Sequence, residues 1–190
     1  MGLILVFDVD GTLGPVDGEP GQGLIPINPK VLEVIREAVS TRAGKMVDAL
    51  FILSNNADMN YMNRIHARIQ ELLGINECIF DDIMCRGDYR RNMNAPRKSL
   101  EDVRYMIDSV NSKWSLARFL KSKPISLRGL AKRVYFFDDL QNHAMRGEIH
   151  NTRYIHINPS YTGSRSYKDK TRYYSLISEI RGKRRVTRKK

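Results

Sequence analysis

Five apolar residues, Leu3-Ile4-Leu5-Val6-Phe7, run without a break into Asp8-Val9-Asp10-Gly11-Thr12-Leu13. An apolar run with no polar alternation predicts a strand covered on both faces (about 3–8), as in a parallel sheet. Two carboxylates at the end of such a strand serve no packing purpose, because a buried, unpaired carboxylate is costly. The carboxyl edge is also where open α/β sheets take their ligands. In extended chain Asp8 and Asp10 point to one side and Val9 to the other. Two acids aimed at one point suit a hard divalent cation and a pair made of a nucleophile and a proton donor. Taken alone the phrase is weak evidence, since Asp8 can start an Asx-turn and Asp-Gly is a common corner. The rest of the chain decides.

The apolar-run pattern recurs. Ala49-Leu50-Phe51-Ile52-Leu53 predicts a second buried strand ending in Ser54-Asn55-Asn56, and Val134-Tyr135-Phe136-Phe137 another, ending in Asp138-Asp139. Cys78-Ile79-Phe80 and Ile83-Met84-Cys85 read as short strands, and Tyr154-Ile155-His156-Ile157 as the last one, closed by Asn158-Pro159. Between them lie helices. Asn28-Pro29 is an N-cap with proline at the first helical position, and Val31, Val34, Ile35 and Ala38 follow at helical spacing to an end near Gly44. A second helix starts at about Asp58, carries Tyr61, Ile65, Ile69 and Leu72-Leu73 on one face, and has Gly74 as its cap. Ser99 to about Ser109 is helical. A further helix around Trp114–Leu120 belongs to an insertion interrupted by Pro124, and a last one covers about Lys170 to Ile180. Gly14 to Gly23 is a loop by composition, and 86–97 is a polar, basic loop. Strands alternating with helices predict an α/β protein with a three-layer, Rossmann-like parallel sheet.

The chain of 190 residues is one domain by length and 42% hydrophobic, which excludes a disordered protein. No apolar run approaches the ~18–20 residues of a membrane span, so no membrane association is expected. The first apolar stretch lacks a basic leader and runs into acids, unlike a signal peptide. Cys78 and Cys85 are too few for a disulfide framework or a zinc site. The expectation is an intracellular protein, cytoplasmic or nuclear. Of the net charge of +11, most sits in residues 181–190, which hold seven bases and no acid, against 25 bases and 21 acids in the other 180 residues. We therefore read 1–180 as the folded domain and 181–190 as a flexible basic tail, suited to nuclear targeting or non-specific nucleic-acid contact, or to solubility alone.

Three buried strands thus end in Asp8/Asp10, in Ser54 and in Asp138/Asp139, and in a right-handed βαβ sheet those ends lie along one edge. In this order LVFDVDGTL, LFILSNN and VYFFDDL resemble the motifs of the haloacid dehalogenase-like (HAD) phosphohydrolase superfamily, over roughly residues 3–140. The resemblance implies a Mg²⁺-dependent phosphomonoesterase. Asp8 would be the nucleophile that forms an aspartyl-phosphate, and Asp10 the acid that protonates the leaving oxygen and then serves as base. Gly11 and Thr12 would shape the turn that faces the phosphate, with Asn55 as a further substrate contact. Ser54 would donate to a phosphate oxygen. Mg²⁺ would be held by Asp8, by Asp10 through its carbonyl, and by Asp139, with Asp138 close behind. The motif also requires a lysine. Lys98 fits, because it follows the strands at 78–85 and precedes the helix from Ser99; Lys113, Lys121, Lys123 and Lys132 also precede the last motif.

From Asp8 to Ser54 is 46 positions and from Ser54 to Lys98 is 44, each already used by loop, helix and strand. No room is left for a large cap domain, and an open site fits a macromolecular substrate. Among uncapped members the chain most resembles the FCP/small CTD (NLI-interacting-factor-like) protein phosphatases, and that resemblance implies a phosphorylated Ser/Thr protein as partner. Their first motif reads DLDET where this chain has DVDGT, a form shared with polynucleotide 3′-phosphatases, so a nucleic-acid 3′-phosphate is the second substrate reading. A fold retained for binding alone is a third, and the intact Asp10 speaks against it. His66 reads as a polar-face residue of its helix, and His143 could edge the site. Tyr161, Tyr167, Tyr173 and Tyr174, interleaved with Arg165, Lys168, Lys170 and Arg172, read either as a stacking surface or as helix packing. Oligomeric state has no signal in the sequence.

Overall fold

A computed structural model describes residues 2–15, 25–41, 46–89, 91, 97–109, 125–140, 145–157 and 167–182. Its strands are β1 (Leu3–Phe7), β2 (Val47–Leu53), β3 (Asp82–Met84), β4 (Val134–Asp138) and β5 (Tyr154–His156). They form one sheet in the order β3-β2-β1-β4-β5 with every neighbouring pair parallel. The helices are α1 (Pro29–Ser40), α2 (Met59–Leu73), α3 (Leu100–Ser109), the short α4 (Leu127–Ala131) and α5 (Met145–Glu148), and α6 (Tyr167–Ile180).

Both faces of the sheet are covered. Leu3, Leu5 and Phe7 of β1 pack with Leu50, Ile52 and Phe137 against α1, α2 and α6. Ile4 and Val6 pack with Phe51, Leu53, Val134 and Phe136 against α3, α4 and α5. That two-sided burial is why β1, the run 49–53 of β2 and the run 134–137 of β4 are apolar rather than alternating, with Asp48 and Asp138 only toward the strand ends. The order also fixes where polar chemistry can sit. From β1 the chain steps outward through β2 to β3, then crosses to β4 on the other side of β1. The crevice between the carboxyl ends of β1 and β4 is therefore a topological switch point, the position at which α/β sheets bind ligands.

Caps follow the sequence signals closely. Asn28 Oδ1 accepts from Lys30 N at 3.1 Å and starts α1; Asp58 Oδ1 accepts from Tyr61 N at 3.0 Å and starts α2. Gly74 closes α2 in the left-handed region at φ 66°.

Several expectations need correction. α1 ends at Ser40 rather than near Gly44, because the Thr41 hydroxyl donates to the Glu37 carbonyl at 2.8 Å and closes the last turn. Cys78–Phe80 is not a strand among the described residues: the Ile79 amide donates to the His66 ring at 3.2 Å while Ile79 and Phe80 bury their side chains. Pairing begins only where Asp81 N meets Leu50 O at 2.8 Å, so β3 is Asp82–Met84. His66 is accordingly half-buried, an acceptor edge-on to Phe80 rather than a polar-face residue, and burial holds its imidazole below the usual range. Tyr173 is buried in the core and Tyr174 is exposed, so the two split between packing and surface. The Trp114–Leu120 helix, Lys113, Lys121, Lys123, His143, Tyr161, Arg165 and residues 183–190 lie outside the described residues. Arg181, at the start of the basic stretch, donates through Nε to Glu37 of α1 at 2.9 Å.

Candidate active site

The alternation of β1 carries Asp8 to the face of Ile4 and Val6, and that of β4 carries Asp138 to the face of Val134 and Phe136. This is the face covered by α3, and the residue two positions before α3 is Lys98. Its ammonium meets both acids: Nζ stands 2.8 Å from Asp8 Oδ2 and 2.7 Å from Asp138 Oδ2. All three side chains are buried. Lys98 is held there by its helix start. The Ser99 amide donates to Asp102 Oδ2 at 2.8 Å and the Asp102 amide to Ser99 Oγ at 3.3 Å, a reciprocal capping box.

Asp8, Asp138 and Asp139 offer carboxylate oxygens within 4.8 Å of one another. The environments of the three differ. Asp138 has both oxygens engaged, Oδ2 by Lys98 and Oδ1 by the Leu140 amide at 2.8 Å. Asp8 uses Oδ2 alone; its Oδ1 is buried with no hydrogen-bond partner. Asp139 is half-buried and lies against Gly11, where a Cβ would stand 2.6 Å from Asp139 Oδ2. Gly11 itself has φ +68°, so both the backbone and this close approach require glycine. The Asp139 carbonyl accepts from His156 Nε2 at 2.9 Å, which fixes the proton of that ring on Nε2.

β1 stops at Phe7, and Asp10 is not in extended chain. The amides of Thr12, Leu13 and Gly14 all turn back to the Val9 carbonyl, at 3.2, 3.0 and 3.0 Å. The Asp10 carboxylate stays outside the three-acid cluster and is held by Asn56, whose Nδ2 donates to both its oxygens at 3.2 Å. Asn56 is fixed in turn by the Asp58 amide on its Oδ1 at 2.8 Å, and its own amide donates to Ser54 Oγ at 3.1 Å. Ser54 is fully buried at the end of β2, and Thr12 is buried with Oγ1 unpartnered. Asn55 Oδ1 accepts from Arg91 Nη2 at 3.2 Å.

The acids titrate against their surroundings. Burial pushes Asp8 up to about 6, with Lys98 pulling it down and Asp138 pushing it up again. Burial also raises Asp10, opposed by the Asn56 hydrogen bond and by Lys98. Asp139 is raised by burial and by its neighbour Asp138.

The structure therefore brings together Asp8, Lys98, Asp138 and Asp139, with Gly11 beneath Asp139. Asp10 and Ser54 are joined through Asn56. Asn55 is turned toward Arg91. Lys132, the other described lysine among the candidates, directly follows α4. Two residues went unforeseen. Asn56 carries a local signal, since it stands two positions before the N-cap Asp58 and two after Ser54; Arg91 carries none. A donor set made only of carboxylate oxygens, in excess over one lysine and including an unpartnered buried oxygen, fits a hard divalent cation such as Mg²⁺.

Comparison with protein-family models, with curated proteins and with solved structures gives no match to this chain. The fold and site define an α/β protein with a carboxylate–lysine centre at its switch point. No helix among the described residues is long and apolar enough to cross a membrane.

Proposed function

We propose that this protein is a Mg²⁺-dependent phosphomonoesterase of the haloacid dehalogenase-like type, acting through an aspartyl-phosphate on Asp8. The observation that carries the reading is the meeting of Asp8 and Asp138 on Lys98 Nζ with Asp8 Oδ1 left open. In the first step a carboxylate oxygen of Asp8 bonds to phosphorus, the bond to the leaving oxygen breaks, and Asp10 gives that oxygen its proton. In the second, water attacks phosphorus, Asp10 takes the proton, and the bond to Asp8 breaks to release phosphate. A nucleophile must be ionised, and Lys98 opposes the burial that would keep Asp8 protonated. Burial raises Asp10, which suits a group that must both give and take a proton. Asp8, Asp139 and the Asp10 carbonyl would hold Mg²⁺, with Asp138 as the acid that fixes Lys98. Bound there, the ion would offset carboxylate charge and polarise a phosphoryl oxygen.

The described residues between Asp8 and Lys98 are taken up by α1, β2, α2, β3 and their turns, which supports an uncapped site and a phosphorylated macromolecule as substrate. A phosphoprotein of CTD type is the first reading. A nucleic-acid 3′-phosphate is the second, favoured by Tyr89, 91% exposed, between the exposed Arg86 and Arg97 in the loop that abuts Asn56. Asp8→Asn keeps the shape and removes the nucleophile, so hydrolysis of a generic aryl phosphate should vanish while the fold stays intact. Full turnover in that variant, or in excess chelator, would sink the mechanism. Phosphopeptides assayed beside 3′-phosphorylated oligonucleotides decide the substrate.

A further inference from the structure

Arg91 lies in the loop after β3, has been given no role above, and its side chain is nonetheless buried. A guanidinium out of water costs several kcal/mol unless its donors are met, so its partners carry information. Nη1 donates to the Ser54 carbonyl at 3.1 Å, and Nη2 to Asn55 Oδ1 at 3.2 Å. Nε faces Asp102 Oδ1 at 3.7 Å. The other oxygen of Asp102 is the one that caps α3 through the Ser99 amide and hydroxyl, at 2.8 and 3.2 Å. Lys98 is the next residue back along the chain. The Arg91 backbone is anchored too: its amide donates to Asp88 O at 3.0 Å, and Arg86 at the other end of the turn donates to Asn56 O at 3.1 Å.

One planar fork thus spans two segments that nothing else described here joins so directly, the exit of β2 and the start of α3. These two segments carry the Ser54 hydroxyl and the Lys98 ammonium. We propose that Arg91 is a positioning residue that holds Ser54 and Lys98 in register about Asp8. The inference rests on the phosphomonoesterase reading for what Ser54 and Lys98 do, and on geometry alone for the link between them. Arginine is needed because its donors diverge in a fixed plane; a lysine at this position is a point charge and can satisfy only part of the set. Arg91 touches no carboxylate of the Asp8–Asp138–Asp139 cluster, so cation binding is separable from its role.

The test uses the full chain as wild type, Arg91→Lys, Arg91→Met, Ser54→Ala and the Arg91→Lys/Ser54→Ala pair. Thermal unfolding, Mg²⁺ affinity, inorganic phosphate affinity and aryl phosphate kinetics are measured for each. Losing hydrogen bonds to a charged donor is worth roughly a factor of ten or more, so Arg91→Lys should lower kcat and phosphate affinity by about that factor. Its Mg²⁺ affinity should stay at the wild-type value. In the Ser54→Ala background the same change should cost clearly less in kcat, because one of the two groups it positions is gone and only the placement of Lys98 is left to lose. Equal losses in both backgrounds, or Mg²⁺ affinity falling in step with phosphate affinity, would mean general loosening and overturn the proposal. Wild-type kcat and phosphate affinity in Arg91→Lys and Arg91→Met would overturn it as well. If wild type binds phosphate without hydrolysing any ester, the phosphomonoesterase reading fails, and the phosphate affinities still decide the role of Arg91. If wild type neither hydrolyses esters nor binds phosphate, both fall.

Discussion

Lys98→Met retains most of the lysine stem and removes only the charge between Asp8 and Asp138. The ammonium stands 2.8 and 2.7 Å from the two carboxylates, and all three groups are buried. Unit charges about 4 Å apart attract by about 4 kcal/mol even at an effective dielectric of about 20. Removing one partner of such a pair generally costs about 3–5 kcal/mol, because a buried charge is left uncompensated. For a chain of this size each kcal/mol moves the midpoint by about 2–4 °C, so the metal-free variant should melt roughly 6–20 °C lower near neutral pH. Acid should narrow the gap, since Asp8, already pushed up to about 6, can shed its charge by taking a proton.

Two further arms make the reasoning refutable. Lys98→Met/Asp138→Asn removes one positive and one negative charge, so part of the lost stability should return while hydrolysis does not. Turnover should fall by about 10² or more in both variants, the usual loss for one preorganised electrostatic donor. Lys113→Ala and Lys123→Ala should stay near wild type. Thermal unfolding in chelator at neutral and acid pH, together with aryl phosphate turnover in Mg²⁺, reads every arm. A Lys98→Met protein with the wild-type midpoint and undiminished turnover would refute the pairing argument, and a larger loss at Lys113 or Lys123 would move the lysine role into the insertion.

Burial favours the protonated form of Asp8 in the metal-free fold; its stabilising contribution is therefore full below about pH 4 and lost as pH rises through about 6. Mg²⁺ needs the ionised acid, so its thermal stabilisation should grow over that same interval, and equal shifts at both ends would contradict the assignment. Gly11→Ala places a methyl 2.6 Å from Asp139 Oδ2 at φ +68° and should weaken Mg²⁺ binding, whereas Gly74→Ala, at φ +66° in open space, should cost only about 1–2 kcal/mol of stability and leave turnover alone. Calorimetric titration with Mg²⁺ separates the two. Deleting 183–190 should leave aryl phosphate hydrolysis unchanged and weaken low-salt binding to DNA or RNA; lost hydrolysis would make those residues part of the folded site.

The sheet is legible where burial is two-sided, because the central stretches of β1, β2 and β4 are then unbroken apolar runs. It was misread at Cys78–Phe80, where apolar side chains are buried but the Ile79 amide is taken by a histidine ring thirteen residues away. Strand ends showed the acids, since a charge directly after a buried run has to be accounted for. Lys98 was marked by the helix start at Ser99. The bonds from Asn56 to Asp10 and from Arg91 to Ser54 span 46 and 37 residues and depend on which loops the fold brings together. Local pattern reports what a residue is buried in; it does not report which distant carbonyl it will meet.

A second buried ionic group, at the amino edge of the same sheet, shows why the acids at the carboxyl edge call for chemistry. There the Arg133 guanidinium pairs with Asp48 and donates to the Gly2 carbonyl at 2.9 and 2.8 Å, while the Gly2 amide donates to Asp48 at 2.8 Å. One acid meets one base, and the charges cancel within the pair. At the carboxyl edge Asp8, Asp138 and Asp139 face a single lysine, with Asp10 held nearby by an amide that brings no charge. Packing alone would select against the surplus, since each added carboxylate raises the cost of keeping its neighbours ionised. A surplus of acid at a switch point, with one oxygen unpartnered, fits the uptake of a divalent cation, as the proposed function requires.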